Sequence, residues 1–148
     1  MPRGAAEQRS EEIGALESVL HARRTDPRLG DWLAAAKAPD AAGARALELI
    51  GRSYRRNTKV PARLAAELAR VTSLAQGIWA EARADDNMAH FAPTLAEVVR
   101  LKREEAAALA AGGDLYDALL DDYEPGATAA GLGAIFDRLA APGERGAA

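Results

Sequence analysis

The feature that most restricts what this chain can become is a run of apolar residues after Pro61. Leu64, Leu68, Val71, Ala75, Ile78 and Ala82 follow one another at spacings of 4, 3, 4, 3 and 4 residues. Only an α-helix, with 3.6 residues per turn, returns side chains to one face at that alternation; a half-buried strand needs a period of two. The seam extends over roughly 25 residues, about 37 Å at the helical rise. Asp85-Asp86-Asn87 interrupts it. Phe91, Leu95, Val98, the stem of Lys102 and Leu109 then mark a second long helix, with Pro93 expected in its first turn. Gly112-Gly113 stops that helix. A short link between two long helices favours an antiparallel pair, so a long helical hairpin is predicted over about residues 61–111.

Composition extends the helical expectation to the whole chain. Of 148 residues, 37 are Ala and 35 are large apolar residues, of which only 5 are Val and 4 are Ile. Ala is the best helix former and buries little area, whereas strands draw on β-branched residues. The predicted fold is therefore all-α: an elongated helical bundle with a thin core, whose small faces approach closely. The length suits one helical domain, residues 1–148, with a small, polar tail at 140–148 expected to fray.

Local signals divide the rest. A first helix is expected from about Ala5 to Arg24, with Ile13, Leu16 and Leu20 at helical spacing. Thr25-Asp26-Pro27 ends it and starts another, Asp26 as cap and Pro27 at the first helical position. That second helix is expected to carry Leu29, Trp32, Leu33 and Ala36 inward. Asp40 caps a third, which buries Leu47, Ile50 and Tyr54 and ends near Asn57-Thr58. Beyond the hairpin, Asp114 to Gly126 is acidic and aromatic, and closes in a Pro-Gly turn. Thr128 can cap a last helix through Leu132, Ile135, Phe136 and Leu139.

Several function classes lose their residues at this stage. With no Cys there is no disulfide framework, thiolate metal site or Cys nucleophile. The 2 histidines, His21 and His90, stand far apart without the His or Glu partner that a helical zinc motif supplies, and read as half-buried or solvent-facing. Asp114, Asp117, Asp121, Asp122 and Glu124 invite a calcium reading, but Leu119-Leu120 falls where ligands should stand and no Gly marks the bend. Asp114 reads as a helix cap, and Asp121 and Asp122 as a solvated face. Ser10, Ser18, Ser53 and Ser73 lie in no nucleophile elbow, and Gly51, Gly131 and Gly133 form no phosphate loop. Arg52-Ser53-Tyr54-Arg55-Arg56-Asn57-Thr58-Lys59 is a basic cluster with an aromatic, which suits RNA or phosphate. It also suits a helix end, where cations complement the carbonyls, and that reading is preferred. A net charge of −3 gives no support to nucleic-acid binding. No apolar run reaches the roughly 18–20 residues of a membrane span. The first residues lack the apolar core of a secretory signal, so a cytoplasmic location is the expectation. No catalytic, cofactor-binding or metal-ligating residue is assigned.

Six stretches carry a resemblance. They are Met1 to Arg9, Thr25 to Gly30, Arg52 to Pro61, Thr72 to Trp79, Phe91-Ala92-Pro93-Thr94-Leu95 running into Leu101-Lys102-Arg103-Glu104, and, most specific, Tyr116-Asp117-Ala118-Leu119-Leu120-Asp121-Asp122-Tyr123-Glu124-Pro125-Gly126-Ala127-Thr128. Together and in this order they resemble the thermostable carboxypeptidase family of zinc metallocarboxypeptidases, typified by carboxypeptidase Taq, up to about Leu139. The resemblance implies the N-terminal helical part of such an enzyme, truncated at both ends. In the family this part borders and partly covers a deep peptide-binding groove, and the full enzymes are commonly homodimers. The family's His-Glu-x-x-His zinc helix, its downstream Glu ligand and its substrate-binding motifs have no counterpart here. The expectation is therefore a chain without zinc or catalysis of its own, whose full-length relatives release C-terminal residues from peptides. The alternative is a stand-alone helical interaction or oligomerisation module pairing through the Leu64–Ala82 seam, with itself or with a full-length enzyme. A weaker third reading is RNA binding through Arg52–Lys59.

Overall fold

The computed structural model describes residues 4–140, and all the regular structure among them is helical. Seven helices follow in order: α1 (Ala6–Arg24), α2 (Pro27–Ala35), α3 (Ala41–Lys59), α4 (Ala62–Ala84), α5 (Met88–Ala110), α6 (Leu115–Leu120) and α7 (Ala129–Ala140). The all-α expectation is met. The tail that was expected to fray lies outside the described residues, apart from Ala140.

Short polar side chains set the helix starts. Asp26 accepts from Arg28 N, Asp40 from Gly43 N, Asn87 from His90 N, and Asp114 from both Tyr116 N and Asp117 N. Each satisfies donors that the first turn would otherwise leave without partners. The cap at Asn87 starts α5 a turn earlier than the sequence suggested. Pro93 therefore sits inside the helix rather than in its first turn. Residues 85–87 form the link between α4 and α5, with Asp86 in the left-handed region at φ 47°. At the far end of α5, Ala111 and Gly112 turn left-handed and end the helix.

Helix α4 is the centre. On one side its Leu64, Leu68 and Val71 pack against Leu101 of α5, with Val60 and Val98 closing the cluster; Leu64 and Leu101 are 0% exposed. Arg63 near the start of α4 pairs with Glu104 late in α5, while Trp79 and Ala82 share a depression with Phe91, so the two helices run antiparallel. Along α5 the buried face steps through Leu101, Ala106 and Leu109, not through Lys102, whose amine reaches Glu105 at 2.7 Å. A step of three residues from Val98, instead of four, brings Leu101 inward. Leu95 is partly exposed and Phe91 half-buried.

On its other side α4 is covered by α1, and here the expected apolar face was wrong. The buried residues of α1 are Ser10, Gly14 and His21; Leu16 is 68% exposed, and Val19 and Leu20 also face water. The reason is backbone proximity. A Cβ placed on Gly14 would stand 3.3 Å from the Ala66 carbonyl oxygen and 3.3 Å from Arg70 Cβ. Small residues allow that approach, and leucines at the interface would hold the helices apart. The predicted close contact of small faces is therefore real, but it belongs to α1 and α4. The seam itself lies inside the chain: Leu64, Leu68, Val71, Ala75 and Ala82 are buried, so none is free for a second molecule.

Helix α2 meets the rest through α3, where Gly30 approaches the Tyr54 ring. Its Leu29 and Leu33 are half-buried, but Trp32 is 60% exposed and Ala36 is exposed, against expectation. Arg28 lies over the Trp32 ring instead. In α3, Leu47 and Tyr54 are half-buried, Ile50 is exposed, and Gly51 alone is fully buried. Both corrections share one cause. No helix among the described residues lies over those faces of α2 and α3, so amphipathic spacing is present without a partner.

Candidate functional site

The two charged segments that the sequence presents separately meet at one end of the bundle. Arg52, just past the middle of α3, donates to the Asp121 main-chain oxygen and, at 2.8 Å, to Asp121 Oδ2. Arg56, a turn further, donates to the Ala118 carbonyl at 3.1 Å and to Asp122 Oδ2. Lys59 Nζ reaches the Leu109 carbonyl of α5 at 3.1 Å. Residues at i, i+4 and i+7 lie along one helix face, so a single edge of α3 delivers all three cations. They cap carbonyl ends, as read from the sequence, but the carbonyls belong to α5 and α6 and not to α3. Asp121 and Asp122 stay partly open to solvent, as read from the sequence, but they are also the partners of the clamp.

Asp121 is the hinge of this arrangement. Its Oδ1 accepts from Gly126 N at 3.0 Å, closing the Pro125-Gly126 turn, while Oδ2 takes Arg52. The Gly126 amide first, and the Arg52 guanidinium second, hold the carboxyl below the usual aspartate range. Asp117 Oδ1 accepts from Ala129 N at 2.7 Å, and Thr128 Oγ1 from Gly131 N at 3.1 Å, fixing the start of α7. The Thr128 cap is where the sequence placed it. Glu124 is exposed and Asp114 serves as cap.

A cleft of about 390 Å³ opens beside the clamp, lined by Arg52, Arg55, Arg56, Lys59, Asp114 and Asp121 among others. Arg55 is the one of these cations with neither ion pair nor hydrogen bond among the described residues. Across Arg56 a second groove of about 490 Å³ holds His21, Glu17, Arg24, Lys102, Glu105 and Asp122. His21, read from sequence as half-buried or solvent-facing, is buried, and its Nε2 lies 2.8 Å from the Val60 carbonyl. A carbonyl can only accept, so Nε2 carries the hydrogen. Val60 ends α3, and the bond ties α1 to the α3–α4 corner. No periodic signal marks it, because the partner is a main-chain oxygen 39 residues away.

The chemistry open to this arrangement is limited. His90 is exposed, 3.7 Å from Glu81, far from His21 along the chain. Among the described residues no three His, Asp or Glu side chains converge as a metal site. Ser10 and Ser18 donate to carbonyls of their own helix, Ser53 accepts from Asn57, and none is bonded to a histidine. Gly51 is a buried helical residue, and Gly131 and Gly133 lie within α7, so none builds a phosphate loop. Among the described residues no helix is long and apolar enough to cross a membrane.

Comparison with known proteins places this architecture. The family described as carboxypeptidase Taq (M32) metallopeptidase matches residues 1–142. Thermostable carboxypeptidase 1 of Thermus thermophilus is 36% identical over 98% of this chain and 34% of its own length. Carboxypeptidase 1 of Bacillus subtilis is 28% identical over 93% of this chain and 28% of its own. A solved structure described as BsuCP superposes with a TM-score of 0.84 at 26% identity, covering 94% of this chain and 29% of that one. Another, described as CHT, gives 0.70 at 34% identity over the same shares. The chain thus spans about a third of the length of the curated relatives it matches. With a seven-helix fold shared with solved relatives and a family match over nearly every residue, the chain belongs to the carboxypeptidase Taq (M32) metallopeptidase family.

Proposed function

We propose that this chain is the N-terminal helical region of a zinc-dependent metallocarboxypeptidase and is catalytically incomplete by itself. One observation carries the reading: the family match runs from residue 1 to 142, yet the match to the Thermus thermophilus enzyme takes in 98% of this chain and only 34% of that enzyme. The sequence contains no His-Glu-x-x-His, and the histidines it has are a structural hydrogen-bond partner and a surface residue. In this reading the chemistry, a metal-activated water attacking the last peptide bond, belongs to the part of the relatives that this chain does not match. The seven helices supply a scaffold, and peptide substrates concern the complete enzyme.

The test is direct. The purified chain should hold zinc far below one ion per molecule after dialysis, and should release no C-terminal amino acid from peptides in the presence or absence of added zinc. Stoichiometric zinc, or release abolished by a chelator, would refute the incompleteness. The cytoplasm remains the proposed location, testable by fractionating cells that express the chain.

A further inference from the structure

We propose that the cleft beside the clamp is a binding site for a dianionic oxyanion of the phosphate class, held by the Arg55 guanidinium and the Lys59 ammonium. The proposal stands apart from the family reading, since it needs neither zinc nor catalysis. Three observations carry it.

The first is charge left without a partner. Arg52, Arg55, Arg56 and Lys59 share one stripe of α3, where like charges three and four residues apart repel. Asp121 neutralises Arg52, and Asp122 neutralises Arg56. Lys59 meets only the Leu109 carbonyl, and the Arg55 guanidinium meets no acceptor among the described residues. Asp114, the other carboxylate on the cleft, caps the Tyr116 and Asp117 amides and pairs with neither cation. The second observation is the seat of Arg55. Gly51 is buried inside α3 with ordinary helical backbone, so no turn requires glycine there. A Cβ on Gly51 would stand 3.1 Å from Arg55 Nη1 and 4.0 Å from its Cζ, and near no other side chain beyond the adjacent residues. The guanidinium therefore fills the space that the missing side chain leaves, folded back along α3. A fork held in place with its donors unused is preorganised for an acceptor from outside the chain.

The third observation sets the ligand. The cleft measures about 390 Å³ and has Leu109, Ala110 and Ala118 among its walls, room for a tetrahedral oxyanion or for a small molecule that carries one. Apolar walls beside two cations strengthen their pull on an anion. A guanidinium grips two phosphate oxygens at once, and an ammonium adds a point charge. A phosphate monoester carries about −1.5 to −2 at neutral pH, which matches the two unpaired cations, whereas a carboxylate would leave one of them over. Nucleic acid is the weaker ligand. Tyr54, the aromatic residue of the stripe, is half-buried against Gly30 of α2 and does not line the cleft, so no base can stack there.

The experiment titrates the 148-residue chain with inorganic phosphate and with glycerol phosphate, at constant pH and ionic strength, and follows nitrogen–proton NMR signals. Signals of the Arg55 side chain and of the amides from Gly51 to Lys59 should move and saturate, half-saturating at about 1 mM or below. Arg55→Gln breaks no ion pair within the chain; it should weaken binding about tenfold and leave the phosphate-free thermal midpoint unchanged. Gly51→Ala should weaken binding about threefold without lowering that midpoint, because the new Cβ displaces the guanidinium while Ala favours the helix. Arg103→Gln, an equal loss of charge on α5, should leave binding as it was. Acetate should compete about tenfold less well than phosphate. Tighter binding of inorganic phosphate would assign the site to the free ion, and equal or tighter binding of the ester to the phosphate group of a metabolite; either supports the proposal. No saturation, equal weakening by Arg103→Gln, or equal competition by acetate would overturn it. A single-stranded RNA oligomer binding the same residues about 100-fold more tightly than phosphate would assign the stripe to nucleic acid and overturn it too.

Discussion

If Arg52 clamps α6 to the bundle, its removal should loosen that segment selectively. Arg52→Ala takes away two interactions. The ion pair with Asp121 has side chains 35% and 38% exposed, so solvent screening limits it to about 0.2–1 kcal/mol. The bond from the guanidinium to the Asp121 main-chain oxygen adds about 1 kcal/mol net. The sum, about 1–2 kcal/mol, corresponds to roughly a tenfold rise in the opening of α6. Native-state hydrogen exchange should show it at Ala118 and Asp121, whose amides bond to Asp114 and Asp117 within that segment. A cycle with Asp121→Ala isolates the ion pair: the coupling should be about 0.5 kcal/mol, less than the full cost of Arg52→Ala, because the carbonyl bond survives loss of the carboxylate. Arg52→Lys should recover only part, since Nη2 alone serves both oxygens and the shorter lysine stem places its ammonium less well to reach them. Less than a twofold change at α6, or an equal change at α4 and α5, would refute the clamp.

Other expectations follow from the same geometry. Leu101→Ala, at a site with no exposure, should cost about 3 kcal/mol and lower the thermal midpoint by about 10 °C, whereas Val99→Ala on the outer face should cost under about 1 kcal/mol; equal effects would contradict the core assignment. His21→Phe keeps an aromatic ring but strands the Val60 carbonyl, and chemical denaturation should register a loss of about 1–3 kcal/mol. Asp26 is held at about 2, first by the hydrogen bond from the Arg28 side chain and then by its amide, against 3.8 unperturbed. A carboxylate lowered on folding contributes above its unfolded value and loses that contribution as pH falls through the folded one. The start of α2 should therefore hold at pH 5 and loosen between about pH 4 and pH 2, reported by Trp32 fluorescence in a Trp79→Phe background. In Asp26→Asn that acid step should vanish; its persistence would show that another group controls α2.

Helix existence and most helix starts were written locally, and so they were legible; the start of α5 at Asn87 was the exception. Asp26, Asp40, Asp114 and Thr128 each bond the amides of a first turn, an interaction contained within two or three residues. The α4 seam was equally plain, because every 4-3 step returns an apolar side chain to one face. The all-α class follows from the same local rules, joined to the abundance of Ala. The family was legible too, through segments such as Tyr116 to Thr128, whose order matters more than their periodicity.

Which face of each helix is covered could not be read that way. Leu16 and Ser10 both sit at helical spacing, and only the approach of α4 to Gly14 decided that the serine goes inside and the leucine out. Trp32 and Phe136 have the spacing of core residues, yet no helix among those described lies over them. His21 gained its role from a carbonyl on another helix, and Arg52 and Arg56 found Asp121 and Asp122 across more than sixty intervening residues. The sequence by itself determined where helices begin, end and carry their apolar stripes, since those depend on neighbours within a turn. The tertiary structure alone decided which stripes are buried and which charges meet, because burial is set by what arrives from elsewhere in the chain.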